Sequence, residues 1–355
     1  PRDQRVEAPE PVQRAVGCPA VTRRAGVVPP LGVLDRAAAR PTPVLTDGRM
    51  GARPVLDVVD VVQEFQPHGS GGVRAQSVSA LSNVSFRVHE GEALGLVGES
   101  GSGKTTLARA IIQLPPPTGG QIWFRGHELT RMSGRRLRHH RNGIQVIFQD
   151  PFGSLNPTWR VFDIVEEPLV VCGVTNRDER RGRVEDVLAL VGLPSNRFGR
   201  RRPTTLSGGQ CQRVAIARAV ISRPVLVVCD EAVSSLDVLM QAQVLALLQK
   251  LRRELALSYL FISHDLAVVK QICDRVAVLH CGQLCEIGPA DALFWNAVHP
   301  YTRALLACAP STEQRHSNRG LKGDPPSPSN PPTGCRFRTR CPTASSQCAV
   351  EEPQL

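Results

Sequence analysis

At 355 residues and 41% hydrophobic content, the chain can form one large domain or two modest ones around a real core, which excludes a disordered chain. Its net charge of +11 would suit nucleic acid or an anionic membrane face, but it comes from 39 arginines against 4 lysines. The arginine clusters at 135–141, 177–183 and 197–202 carry no run of interleaved aromatics such as a single-strand groove uses, so they read as solvated surface and no nucleic-acid partner is expected.

No apolar run approaches the roughly 18 to 20 residues a membrane-spanning helix needs, so any membrane role is expected to be peripheral. Nor does the N-terminus carry the apolar core of a signal peptide. Of eleven cysteines, Cys211, Cys229 and Cys273 fall in hydrophobic-periodic segments and read as small buried residues. A reducing compartment is expected, without disulfides.

Along the chain, residues 1–52 are rich in Pro, Arg, Ala and Gly and lack periodicity. They read as a leader outside the native fold, with Met50 a candidate natural start. Short β-branched runs follow at 55–62 and 82–88, separated by the turn Gly69–Gly72. Ala93–Val97 reads as a buried strand, and 105–114 as a helix stopped by Pro115, Pro116 and Pro117. A strand is expected at 144–148. Helices and loops fill about 152–206, where Val184, Val187, Leu188 and Val191 have helical spacing. Then come a helix at 209–221, a strand at 225–229, and a long helix with Val244, Leu247, Leu248, Leu251 and Leu255 on one face. Strands at 259–263 and 275–279 complete an α/β pattern, a largely parallel sheet covered by helices. After Pro310 the composition turns to Pro and Ser, and the segment reads as an extension rather than core.

Gly98-Glu99-Ser100-Gly101-Ser102-Gly103-Lys104-Thr105 follows a strand and opens a helix, the context that gives a phosphate-binding loop its meaning. Its glycines let successive N–H groups turn toward phosphate oxygens, and the helix start favours negative charge. Lys104 would reach the β- and γ-phosphates of ATP and Thr105 would bind Mg²⁺; Thr106 follows in the same site. Downstream, the hydrophobic strand ending in Asp230 and Glu231 puts two acids at a sheet's C-terminal edge, one for Mg²⁺ and one for polarising water.

Leu206-Ser207-Gly208-Gly209-Gln210, in this company, resembles the signature motif of ABC-type ATPases. That resemblance runs from about Pro54 to the end and implies a P-loop fold with an antiparallel β subdomain and a helical subdomain. The ATPase domain would span 53–298 and a C-terminal extension 299–355. It implies that Ser207, Gly208, Gly209 and Gln210 face ATP held by a second ATPase subunit, in a head-to-tail pair. It also implies catalytic roles for Glu231, His264 and Gln149, a dimer-coupling role for Asp237, and an adenine-stacking role for Phe65. Ala232 and Ser235 stand where the family commonly has Pro and Ala; both are small and leave the acids intact.

The tail sharpens the resemblance. His299-Pro300-Tyr301-Thr302-Arg303, Asn330-Pro331-Pro332 and Gly334-Cys335-Arg336-Phe337 are similar to the oligopeptide, dipeptide and nickel importer subgroup, as is Ser154-Leu155-Asn156-Pro157. This implies an ATPase at the cytoplasmic membrane face, with two permeases, a related but distinct second ATPase, and an extracytoplasmic peptide-binding protein. Nickel is the alternative cargo, and a non-transport ABC ATPase a more distant one. Cys335, Cys341 and Cys348 are spaced for clustered thiolates, and some relatives carry an iron–sulfur cluster here. Three ligands leave such a site incomplete without a further cysteine.

Overall fold

β1 (Pro54–Phe65) and β2 (Val78–His89) pair antiparallel, Pro54 opposite His89 at one end and Phe65 opposite Val78 at the other. The computed structural model describes residues 54–66, 77–308, 323–324, 326–327 and 329–353, all within one unit, Asp47–Leu355. The expected leader, the candidate start at Met50 and the turn at 69–72 lie outside the described residues.

β3 (Ala93–Val97) is buried at all five positions and leads into α1 (Lys104–Ile111). β4 (Gly119–Phe124) and the two-residue β5 (His127–Glu128) complete a four-stranded sheet in the order β2-β1-β4-β5. α2 (Gly134–Arg141) precedes β6 (Ile144–Ile147). The region at 152–206 is helical: α3 (Pro151–Ser154), α4 (Val161–Val171), α5 (Arg177–Leu190) and α6 (Ser195–Phe198). α7 (Gly208–Val220), β7 (Leu226–Asp230), α8 (Val238–Leu255), β8 (Ser258–Ile262), α9 (Leu266–Ile272) and β9 (Arg275–His280) alternate next. β10 (Gln283–Pro289), α10 (Ala290–Asn296) and α11 (Pro300–Ala307) follow.

The second sheet has the order β10-β9-β3-β8-β7-β6, parallel except for β10, which runs antiparallel to β9. A strand's period of two divides its side chains between two cores. Ala93, Val97, Val227, Cys229, Tyr259 and Phe261 face a core shared with the helical region, whereas Leu94, Leu96, Leu226, Val228, Leu260 and Ile262 face the antiparallel sheet and α1. Covered on both faces, these strands read as unbroken hydrophobic runs.

Several expectations change. The helix expected through 114 ends at Ile111, because Gln113 takes φ +60 and Leu114 precedes Pro115. β4, β5 and β10 were not anticipated. The arginine clusters are only partly solvated: Arg180 pairs with Glu166 at 2.7 Å, Arg141 donates to the Gln113 carbonyl at 2.6 Å, and Arg183 to that of Ile221 at 3.0 Å. Phe198, inside the third cluster, is buried with Arg197 and Arg201 over its ring, so it offers no stacking surface to a base. The segment after Pro310 does contribute to the core: Phe337 is buried beside Tyr301, their ring centroids 5.3 Å apart. Apolar area drives this docking, at about 25 cal/mol per Å² removed from water.

Among the described residues no helix is long and apolar enough to cross a membrane.

Candidate active site

The C-terminal ends of β3, β7 and β8 bring three sequence-distant segments together. The loop Gly98–Gly103 leaves β3 under tight steric control: a Cβ at Gly98 would sit 2.1 Å from the Leu279 carbonyl oxygen. Gly103, at φ +106, caps α1 from the left-handed region. Lys104 turns back into this loop, its Nζ donating to the Gly98 and Glu99 carbonyls at 2.9 and 2.8 Å. Ser102 and Lys104 are buried, Glu99 and Thr106 half-buried, and Ser100, Gly101 and Thr105 exposed. The carbonyls now holding the ammonium are weaker partners than phosphate oxygens, so Lys104 is poised for an anion.

Thr105 Oγ1 donates to Asp230 Oδ1 at 3.3 Å, linking the start of α1 to the end of β7. Burial raises the Asp230 pKa above the ordinary carboxylate value and Glu231 adds to this, against the Thr105 hydrogen bond, Arg109 and Lys104. Burial likewise lowers that of Lys104, opposed by Glu231, Asp230 and Glu99. A hydroxyl and a carboxylate in a half-desolvated acidic corner are hard oxygen donors, and they fit Mg²⁺.

Glu231 adopts φ +50, in the left-handed region uncommon for a residue with a side chain, while its N–H donates to the Ile262 carbonyl at 3.0 Å. His264 Nδ1 lies 3.4 Å from Glu231 Oε2. Asp265 caps α9 behind it, accepting from Ala267 N–H at 2.9 Å, so a helix start fixes the histidine's loop. Gln149 is exposed, and its carbonyl accepts from Ser235 Oγ at 3.3 Å. The serine that the sequence offered only as a tolerated departure thus ties the glutamine loop to the segment after Glu231.

The signature opens α7. Ser207 and Gln210 form a reciprocal capping box, with Gln210 N–H donating to Ser207 Oγ at 3.3 Å and Ser207 N–H to Gln210 Oε1 at 3.1 Å. Gly209 leaves room for Met240, whose Cε would lie 1.9 Å from an added Cβ. Gly208 faces Leu236 and Phe152. Asp237 caps α8, accepting from Met240 N–H at 2.9 Å. Phe65 is exposed at the end of β1.

Cys335, Cys341 and Cys348 gather around a shared turn. Cys335 N–H donates to the Cys348 carbonyl at 2.9 Å, and burial with the neighbouring Cys348 and Cys341 pushes the Cys335 thiol up. A fourth thiol, Cys285 on β10, neighbours Cys335 and is pushed up to about 12, mainly by burial. Sequence reading missed it because it lies 50 positions upstream. Among the described residues no group of three or more His, Cys, Asp or Glu is disposed to hold a metal ion. Cys211, Cys229 and Cys273 are buried as expected.

The ABC transporter family matches residues 81–234, and the C-terminal region of oligopeptide/dipeptide transporters matches residues 285–348. A peptide import ATP-binding protein of Brucella ovis is 46% identical over 86% of this chain and 95% of its own length. The chain belongs to the ABC transporter family. Its oligopeptide/dipeptide branch includes the oligopeptide transport ATP-binding protein OppF of Escherichia coli, 49% identical over 79% of this chain and 85% of that protein. Among solved structures, the dimeric bacterial ABC transporter cassette MJ0796 superposes with a TM-score of 0.59 at 28% identity, covering 66% of this chain and 98% of that one. The ABC chain is accordingly an ATP-binding subunit of the oligopeptide/dipeptide type, an ATPase whose hydrolysis is coupled to transport.

Proposed function

We propose that this chain energises import of oligopeptides or dipeptides from the cytoplasmic membrane face, as one of two distinct ATPase subunits beneath two permeases supplied by a periplasmic or surface-bound peptide receptor. The observation that carries the reading is the meeting of Lys104 and Thr105 with Asp230, Glu231 and His264 at one sheet edge. Lys104 exchanges its loop carbonyls for the β- and γ-phosphates. Thr105 and Asp230 hold Mg²⁺, which when bound neutralises phosphate charge. Glu231 orients and deprotonates the attacking water, and His264, beside it, contacts the γ-phosphate. Gln149 senses that water from the glutamine loop, and Phe65 stacks on adenine.

Ser207, Gly208, Gly209 and Gln210 stand at the start of α7, a second helix start with a hydroxyl and glycine amides suited to an anion, and act in trans on ATP of the partner ATPase; Asp237, the cap of α8, lies at the matching coupling loop. The dimeric state of the cassette MJ0796 supports the same arrangement. Permease contact is best supported at the groove of about 360 Å³ bordered by Leu114, Phe148, Pro168 and Val171, where exposed apolar groups adjoin the glutamine loop. Arg218 steadies its neighbour Ser154 through the carbonyl, at 2.6 Å. Residues 53–298 form the ATPase domain in this reading and 299–355 the extension.

The thiols of Cys335, Cys341 and Cys348 are the donor type of an iron–sulfur cluster, but among the described residues they are not disposed to hold a metal ion, and iron and sulfide analysis of anaerobically purified protein is expected to find neither. For the main reading, the complex is purified from its native membrane, reconstituted with its receptor, and assayed for ATP hydrolysis against added peptides and Ni²⁺. Stimulation by peptide supports the proposal. Stimulation by Ni²⁺ alone assigns the cargo to nickel, and co-purification with no permease overturns transport.

A further inference from the structure

Glu99, the second residue of the phosphate loop, is held from a distance. Arg340 grips its carboxylate with both prongs, Nη1 to Oε2 at 2.7 Å and Nη2 to Oε1 at 3.0 Å. Glu99 N–H donates to the Tyr301 hydroxyl at 2.9 Å, and its carbonyl accepts from Lys104 Nζ at 2.8 Å. So the amide, carbonyl and side chain of one loop residue are all engaged, two of the three by residues beyond position 300.

These hands are themselves fixed. The Arg340 side chain is 4% exposed against 23% for Glu99, so the pair is largely withdrawn from water, where a two-pronged charged contact is strong and directional. Tyr301 and Phe337 are buried against His280, with ring centroids 4.2 and 5.5 Å from the imidazole. Arg336 donates to Ser82 Oγ at 2.7 Å and to the Cys281 carbonyl, anchoring the same turn to β2 and to the end of β9.

We propose that Arg340 is a positioning residue for ATP: from the C-terminal extension it fixes the phosphate loop through Glu99 and neutralises a carboxylate that would otherwise face the incoming triphosphate. The proposal rests on Gly98–Thr105 being the triphosphate site. Arg340 touches no reacting atom; it acts through Glu99. Without it, the loop keeps its Lys104 contacts but carries an acid released from its two-pronged partner, beside a ligand of the same sign.

The test is a double-mutant cycle on the full-length chain, read by binding of a fluorescent N-methylanthraniloyl-ATP with Mg²⁺ and by thermal unfolding without nucleotide. Arg340→Ala is expected to weaken binding roughly five- to tenfold, the loss of one charged, two-pronged contact. In a Glu99→Ala background the same substitution is expected to change affinity less than twofold, because the carboxylate it controls is gone. Arg340→Lys, keeping charge but not the fork, should fall between. An unchanged affinity in Arg340→Ala, or an equal loss with and without Glu99, overturns the proposal and leaves Arg340 a stabilising residue only. Should Arg340→Ala not fold, Arg340→Lys carries the same cycle. Lys104→Ala separates the premise: if it binds the nucleotide as wild type does, the triphosphate site itself is misassigned.

Discussion

His264 Nδ1 stands 3.4 Å from Glu231 Oε2, although 33 positions separate them in sequence, because β7 and β8 are neighbouring parallel strands that end side by side. The parallel register places Asp230 opposite Ile262, so both side chains emerge just past the same edge. Glu231→Gln preserves shape and removes the proposed base. Hydrolysis in the assembled transporter should fall about 10²- to 10⁴-fold while ATP binding stays within a few fold. Phosphate release and nucleotide binding measured on one preparation check this; a matching collapse of binding would move Glu231 from chemistry to affinity.

Asp230→Asn keeps the hydrogen bond from Thr105 possible but deletes the charge proposed to hold Mg²⁺. The Mg²⁺ concentration giving half-maximal ATP binding should rise at least about tenfold. Titration of Mg²⁺ at fixed ATP reads it directly.

Gly98→Ala introduces a methyl 2.1 Å from the Leu279 carbonyl oxygen, a backbone atom with nowhere to yield. A loss of about 2 to 4 kcal/mol is expected in chemical unfolding. Gly101→Ala, whose Cβ meets nothing within 4 Å but sits at φ +78, should cost about 1 kcal/mol. Equal losses at the two positions would contradict the steric account.

Ser207→Ala removes one half of the capping box at α7. Stability should drop by about 1 kcal/mol. ATP hydrolysis by the assembled transporter should drop far more than that stability loss explains, since the proposed function also gives Ser207 a role at the opposing site. Thermal unfolding of the isolated subunit and turnover of the complex separate the two effects.

His280 supplies a pH test. Burial lowers its pKa from 6.5 to about 4; Glu99 opposes the shift, while Arg340 and His299 reinforce it. Between those values the unfolded chain binds the proton and the folded chain does not. Stability from the neutral imidazole is therefore full above about pH 6.5 and is lost as pH falls toward 4, on the order of 3 kcal/mol in all. His280→Gln should flatten that segment of the profile in urea unfolding at stepped pH.

The elements of this site were unequally legible. Gly98–Thr105, Asp230-Glu231 and Ser207–Gln210 are local patterns whose spacing carries their geometry, so they stand where the sequence put them. Ser235 was invisible as a contact because its partner, the Gln149 carbonyl, is a backbone atom 86 positions away. Arg340 and Tyr301 gave no signal toward Glu99, since no periodicity links a Pro-rich tail to a loop in the first third of the chain. Cys285 was missed for the same reason. β4 and β10 carry glycines and polar residues among their apolar ones, which blurs the alternation that marks a strand. Gln113 explains the shortened α1: its left-handed backbone is a choice of packing that composition does not announce.

The burial of Phe337 bears on how the chain comes to be made. Glu99 emerges from the ribosome 241 residues ahead of Arg340, a delay of roughly ten to fifty seconds at ordinary elongation rates. For that interval the nucleotide loop lacks its distal brace, and from the synthesis of Tyr301 until that of Phe337, 36 positions later, a seam stays open at Tyr301 and His280. Completion of this packing is therefore timed by the translation of residues 337–340, and a cassette released before them would leave the ribosome with that seam exposed to the folding machinery of the cell.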